Sequence, residues 1–199
     1  MKFHFGAIPE DDFEPDDSWR ALREPGPLLM QLFAFPIAIA LLAIFAFLWK
    51  RFVAMEPLPI RQEHSMLFGL AAIASFPLLI IVHELFHAAA HPGYGRHPAT
   101  IIGAWPVKLM FYAHYCGELK RNQFLLIFAM PFLAISVLPL VIAAVGILPP
   151  PLASVAAWFS IWNALFACGD VFCFFLVLSQ IPPNAIVRNK GWYTYWKPA

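Results

Sequence analysis

Charged residues are scarce in this sequence. Lys, Arg, Asp and Glu make up 13% of the 199 residues, whereas 61% are hydrophobic, and the formal net charge is only +1. So low a charge content excludes an ordinary soluble globular domain and is typical of a protein that crosses the bilayer several times. The near-neutral balance also gives no sign of a nucleic-acid partner, which would favour a basic surface.

Cysteine is also rare. Cys116, Cys168 and Cys173 are an odd number at no metal-ligand spacing, so we predict neither a disulfide framework nor a cysteine zinc site. The residues that follow Met1 lack the apolar run of a signal peptide, and we expect no cleavage there. Any chemistry must therefore come from other residue types.

Long uncharged stretches predict the membrane helices, because about 20 apolar residues cross a bilayer. Glycine and proline breaks divide residues 28–180 into four stretches, which gives a predicted four-helix membrane core. Residues 1–27 are predicted as an acidic, solvated cytosolic tail, and residues 181–199 as an aromatic and basic tail at the membrane surface. The predicted spans are residues 28–49, 65–91, 122–145 and 152–180.

The loop between the second and third spans has a different character. Residues 107–115 are aromatic, too short to cross a bilayer, and bounded by Pro106 and Gly117, which favours a strand. With residues 100–102 before it, this run predicts a small β-hairpin at the membrane surface. The predicted fold class is an all-α polytopic membrane protein with about four transmembrane helices and a β-hairpin insert between helices 2 and 3.

Basic residues predict the orientation. With four spans, ten of the thirteen lie on the side that holds both termini and the loop between the second and third spans. The positive-inside rule therefore places both termini in the cytoplasm. The three basic residues on the other side are Lys50, Arg51 and Arg61.

One pentapeptide, HELFH, carries a recognisable chemistry. On a helix, the spacing of His83 and His87 directs both imidazoles from one face, so that they can bind one Zn²⁺ ion. Glu84 is then placed to act as general base on the metal-bound water. The motif lies inside a predicted span, where an ionised acid costs roughly 2.5 to 3.5 kcal/mol on insertion scales. An acid in such a position indicates function.

A catalytic zinc usually takes three protein ligands, so one more is required. Of the twelve acids, only Glu84 and Asp170 lie inside predicted spans, and Asp170 can reach the depth of the histidines. Asp170 is therefore the candidate third ligand, and a hydrogen-bonded structural aspartate is the alternative. His91 shares the face of His87, but in a continuous helix it lies roughly 12 Å from His83.

Asn163 is a further candidate site residue. It precedes Asp170 by seven residues and so shares its helix face. We predict that it binds a substrate carbonyl, and the alternative is a hydrogen bond to a neighbouring helix. The remaining histidines are expected at the surface, and they are His4, His64, His97 and His114.

These features resemble the site-2 protease class of intramembrane zinc metalloproteases, and more closely a small bacterial family of zincin membrane peptidases. The resemblance covers roughly residues 65–197, through HELFH, the strand-like insert, Asn163, the Gly169–Asp170 pair and the Ile-Pro-Pro-Asn-Ala tail. In site-2 proteases two histidines and a distant aspartate bind zinc, and the motif glutamate is the base. The resemblance implies these roles, in that order, for His83, His87, Asp170 and Glu84.

The predicted function is zinc-dependent hydrolysis of peptide bonds in or beside the membrane. The expected partners are a membrane protein or peptide substrate and the lipid bilayer, with no nucleic acid and with the oligomeric state left open. The expected location is the bacterial inner membrane. Two alternatives remain open at this point, a non-catalytic membrane adaptor with a structural metal site, and a metal-dependent membrane hydrolase of non-peptide bonds.

Overall fold

The computed structural model describes residues 1–56, 64–108 and 110–199, and within them it contains α-helices and two β-sheets. Arg61 and Leu109, which the topology and hairpin predictions include, lie outside the described residues. A π-helical segment, Phe132–Val137, joins α3 to α4. The helices are α1 Pro27–Phe52, α2 Ser65–Ala89, α3 Arg121–Pro131, α4 Leu138–Ala144, α5 Pro150–Phe166 and α6 Cys168–Gln180.

The long helices match the predicted spans. Among the described residues, three helices are long and apolar enough to cross a membrane, namely α1, α2 and the continuous helix Arg121–Ala144. The pair α5 and α6 also qualifies if it is counted as one span, although the two helices meet at an angle of 51°. The prediction of about four spans is therefore confirmed as three or four candidate helices, compatible with a multi-pass membrane protein.

Proline residues mark the N-termini of two helices and the start of the π-helical segment. Pro27 and Pro150 stand at helix N-termini, where the missing N–H is not needed. Pro131 ends α3, and the wider π-helical turn follows directly. Such turns occur frequently at functional sites. The chain therefore changes its helical geometry in the middle of the third span, close to residues described below.

The predicted hairpin is present between α2 and α3. Strand β3 pairs antiparallel with β4, with Thr100 opposite Tyr115 and Trp105 opposite Met110. On its other edge β3 pairs parallel with β1, so β4 is an edge strand of a sheet ordered β1–β3–β4. Strand β4 packs against α2, the helix that carries HELFH. These strands are β1 Lys2–Phe5, β3 Thr100–Trp105 and β4 Met110–Tyr115.

A second sheet gathers the two chain ends. Its order is β2–β7–β6–β5, and it joins the N-terminal segment and the C-terminal tail to the residues that precede α3. The predicted all-α class with one β-hairpin insert is therefore confirmed only in part, because the described residues also form a second sheet and pair β1 with the hairpin. The strands are β2 Arg20–Ala21, β5 Leu119–Lys120, β6 Ile186–Lys190 and β7 Tyr193–Lys197.

The N-terminal segment differs from the solvated tail expected for it. It supplies β1 and β2, and Phe13 between them is 8% exposed. Asp11 forms an ion pair with Arg188 at 2.8 Å, and the Arg188 guanidinium also lies 4.4 Å from the centre of the Phe13 ring. Acids that look like a solvated run in the sequence are thus partnered by bases from the other end of the chain.

Candidate metal centre

The HELFH residues lie in the last two turns of α2. His83, Glu84 and His87 are all buried, and their nearest ligand atoms lie within 4.8 Å of one another. The two imidazole rings leave the same side of the helix, with ring centres 4.9 Å apart. This is the arrangement that the spacing of the motif predicts for a helix.

Asp170 meets the two histidines from a different helix. The bend between α5 and α6 puts Asp170 in the first turn of α6. Its Oδ2 lies 2.9 Å from the Nε2 atom of His83, and its Oδ1 lies 3.2 Å from the Nε2 atom of His87. Asp170 therefore lies next to His83 and His87, although it follows them by more than eighty positions in the sequence. A shared metal ion, as predicted from the sequence, requires this proximity.

The Nδ1 atom of each histidine, on the side of the ring away from Asp170, has a hydrogen-bond partner of its own. His83 Nδ1 lies 2.9 Å from Asn163 Oδ1, and His87 Nδ1 lies 2.8 Å from the backbone carbonyl of Ile127. A carbonyl oxygen only accepts hydrogen bonds, so each Nδ1 carries the proton and donates it. In the neutral imidazoles the lone pair then belongs to Nε2, the atom that faces Asp170.

These donors fit a zinc ion. Two imidazole nitrogens and a carboxylate converge here, an arrangement that is favourable when a metal ion or a proton lies between them. Ligand bonds of about 2.0 to 2.2 Å in a tetrahedral zinc site put neighbouring ligand atoms about 3.3 to 3.6 Å apart. The separation of 3.2 Å is close to that range, and the separation of 2.9 Å would have to widen by about 0.4 Å or more to admit the ion. The hydrogen bonds that the two Nδ1–H groups donate are of the kind that usually orients histidine ligands of zinc.

A cavity of about 550 Å³ gives access to this cluster. Its walls come from α1, α2, α3, α6 and β4, and most of them are apolar. Glu84 and Asp170 line it, and so does β4 from Met110 to Tyr115. The metal-binding residues are therefore reached from a space that borders the edge strand of the hairpin sheet.

Glu24 is a cavity residue that the sequence analysis missed. It precedes α1, and its carboxylate accepts hydrogen bonds from the N–H and hydroxyl groups of Thr194 in β7. Burial raises its pKa to about 7 despite these bonds. No sequence signal identifies this residue, because it is one of many acids in the N-terminal segment and only folding against β7 selects it.

One further histidine differs from expectation, and another lies outside the contacts of Asp170. His114 was expected at the surface, but it is 5% exposed and lines the cavity from β4, so that expectation is wrong. Its burial lowers its pKa to about 4. His91 follows the end of α2, where it is 3% exposed with its ring centre 5.5 Å from that of Tyr115. The contacts with Asp170 come from His83 and His87.

Asn163 lies in α5 with no exposed surface. Its hydrogen bonds go to His83, to the hydroxyl of Ser136 and to the backbone carbonyl of Pro131. Of the two roles weighed from the sequence, the bond to neighbouring helices is the one visible in this structure. Binding of a substrate carbonyl by Asn163 stays a prediction.

The helical HExxH pair with nearby carboxylates has the donor set of a zincin, the class of zinc peptidase built on this motif. The chain belongs to the family described as "Putative zincin peptidase", whose model matches residues 76–186, from the middle of α2 to the start of β6. This confirms the zincin family and indicates zinc as cofactor and metallopeptidase activity. No curated protein and no solved structure matches the chain significantly.

Proposed function

We propose that this protein is a zinc-dependent endopeptidase that cleaves membrane proteins within or beside the bilayer, as site-2 proteases do. The observation that carries the proposal is the meeting of His83, His87 and Asp170 inside a bundle of apolar helices, with Glu84 in the same cluster. His83, His87 and Asp170 would hold the ion. Zinc in such a site supplies a Lewis acid, which polarises a carbonyl and lowers the pKa of water.

Glu84 is the proposed general base. It takes a proton from the attacking water and returns it to the leaving amine, which is the usual duty of the glutamate in this motif. Two carboxylates lie near the histidines, and they differ in their contacts. Asp170 contacts both Nε2 atoms, whereas Glu84 shares the helix of the histidines and borders the cavity. These contacts support Asp170 as ligand and Glu84 as base.

Strand β4 is the proposed docking edge for the substrate. The N–H of Cys116 donates to the carbonyl of Ala99 on the β3 side, at 2.9 Å. Because backbone groups alternate along an antiparallel strand, the N–H groups of Phe111 and Ala113 point away from β3, and the Ala113 N–H donates to the Glu84 carboxylate. β4 has no strand on that edge in the sheet order, and its residues line the cavity. An extended peptide could therefore add to β4 as a further strand.

This docking mode suits a membrane-protein substrate. A helix hides its peptide bonds in its own hydrogen bonds, so a helical segment must unwind before it can be cut. An unwound segment in an apolar setting needs new partners for its backbone, because an unpaired polar group there costs several kcal/mol. The outer edge of β4, which no other strand of the described residues covers, offers such partners next to Glu84.

We further propose that the site opens toward the cytoplasm. The strand pairing joins the N-terminal segment, the loop before α3 and the C-terminal tail, the three segments that hold ten of the thirteen basic residues. This proximity supports placing them on one side of the membrane, and the positive-inside rule selects the cytoplasmic side.

Cleavage of a panel of membrane proteins by the purified, zinc-loaded protein tests the proposed activity. We expect the wild type to cut at least one substrate and Glu84→Gln to be inactive with its zinc content unchanged. Glu118→Gln, at an exposed position immediately before β5, is a matched control that should stay active. Retained cleavage by Glu84→Gln would refute Glu84 as the general base, whereas a zinc-loaded wild type that cleaves nothing would favour the adaptor. Cleavage of lipid esters instead of peptides would favour the non-peptide hydrolase.

A further inference from the structure

A chain of buried hydrogen bonds runs from His83 away from the cavity. Asn163 bonds to Ser136, Ser136 pairs with Ser160, and Ser160 accepts a hydrogen bond from Trp49. The last four residues have no exposed surface at all. They come from α1, α5 and the π-helical segment, so the chain links the metal helix α2 to three other parts of the bundle.

The direction of each bond can be assigned. The Nδ2 group of Asn163 lies 3.2 Å from the carbonyl oxygen of Pro131 and 2.9 Å from the hydroxyl of Ser136. Only the NH₂ end of an amide can donate to a carbonyl, so the amide cannot be flipped. Oδ1 must then face His83, and it can only accept. The proton of the imidazole is thereby held on Nδ1, which leaves Nε2 for the metal.

Ser136 holds Asn163 in this orientation, and Ser160 in turn forms a reciprocal pair with Ser136. Ser136 donates its hydroxyl proton to the backbone carbonyl of Ser160 at 2.9 Å, and Ser160 donates to the carbonyl of Ser136 at 2.8 Å. With its proton so directed, the Ser136 oxygen presents a lone pair to Asn163. Ser160 in turn accepts from the indole N–H of Trp49 at 2.8 Å. The pair is reciprocal, but only Ser136 contacts Asn163.

We infer that Asn163, held by Ser136 and the Pro131 carbonyl, is a positioning residue that fixes the tautomer and ring orientation of His83 for metal binding. The inference rests on the zinc site of the proposed function, but it concerns binding of the ion and not hydrolysis. The π-helical segment has a clear part in it, since it brings Ser136 next to Asn163 immediately after Pro131. Outer-shell partners of this kind commonly change metal affinity by about 10- to 100-fold when they are removed.

The two serines provide a matched pair of variants. Ser136→Ala and Ser160→Ala are the same chemical change at two sites with no exposure, and each removes two hydrogen bonds. Only Ser136→Ala removes a bond to Asn163. A purely structural network would make the two variants behave alike. A positioning network would make only Ser136→Ala bind zinc less tightly.

The test measures zinc dissociation constants of the full-length protein by competition with a chelator, together with the melting of the zinc-free forms. We expect Asn163→Ala to weaken zinc binding by about 10- to 100-fold and Ser136→Ala by about tenfold. Ser160→Ala should stay within twofold of wild type while it melts as early as Ser136→Ala. Equal loss of zinc affinity in both serine variants, or no loss in Asn163→Ala, would overturn the inference.

The outcome is separable from that of the proposed function. Zinc binding that follows this pattern without peptide cleavage would support the positioning role and refute the peptidase proposal. A wild-type protein that binds no zinc would overturn both. Should Asn163→Ala fail to fold, the comparison of the two serine variants still decides the inference.

Discussion

Asparagine in place of Asp170 gives the sharpest test of the metal centre. The substitution keeps the size of the side chain but removes its charge, and a neutral amide oxygen is a much poorer ligand for zinc than a carboxylate. The two contacts of 2.9 and 3.2 Å to the histidines show that both carboxylate oxygens are directed at the cluster. We therefore expect the variant to lose zinc affinity together with cleavage.

The expected loss of zinc affinity can be bounded by the effect of a lost outer hydrogen bond and then converted into a change in zinc-dependent stability. Loss of an outer hydrogen bond costs about 10- to 100-fold in metal affinity, so loss of a ligand should exceed about 100-fold. At a fixed, saturating concentration of free zinc, a 100-fold weaker affinity removes about 2.7 kcal/mol of the stabilisation that the ion gives to the folded state. The zinc-dependent rise in melting temperature should shrink accordingly in Asp170→Asn.

The assay compares five variants by their zinc content, competition with a chelator, melting with and without zinc, and cleavage. Glu84→Gln should keep its zinc and lose cleavage, and His91→Ala should have only a mild effect on both. His83→Ala and His87→Ala should behave like Asp170→Asn. If Asp170→Asn keeps wild-type zinc affinity while His91→Ala loses it, the assignment of the third ligand is wrong.

Three further predictions concern the surroundings of the site. Proline at Phe111 removes an N–H that points away from β3, so cleavage should fall while zinc content is kept, and normal cleavage in this variant would refute the docking edge. Burial raises the pKa of Glu24 to about 7 in the folded protein. The folded state therefore favours the protonated carboxyl, and its contribution to stability is complete below the ordinary pKa of the group. This contribution is lost as the pH rises through about 7. Glu24→Gln should therefore melt above wild type at about pH 8 but near it at about pH 5, and parallel melting curves would contradict the assignment. Arg96 is exposed, so Arg96→Cys in a background without the native cysteines should react with an impermeant thiol reagent only from the cytoplasmic side, and reaction only from outside would reverse the topology.

The sequence by itself determined the parts of this protein that depend on local pattern. Uncharged apolar runs are sufficient to predict a membrane helix, and the observed helices lie close to the predicted spans. HELFH fixes the relation of His83, Glu84 and His87 because a helix repeats every 3.6 residues. The aromatic run near residue 110, between Pro106 and Gly117, likewise indicated a strand from local composition.

Only the tertiary structure decided what depends on distant partners. Strands β2 and β5 are two residues long, and such segments have no periodicity that could reveal them. Acids of the N-terminal segment gain partners, and Glu24 gains a partly buried site, only when the two chain ends pair. Asn163 shows the same limit, since its place in the sequence allowed a substrate contact or a helix contact. Its hydrogen bonds to His83, Ser136 and Pro131 arise from the packing of three helical segments, which no local pattern encodes.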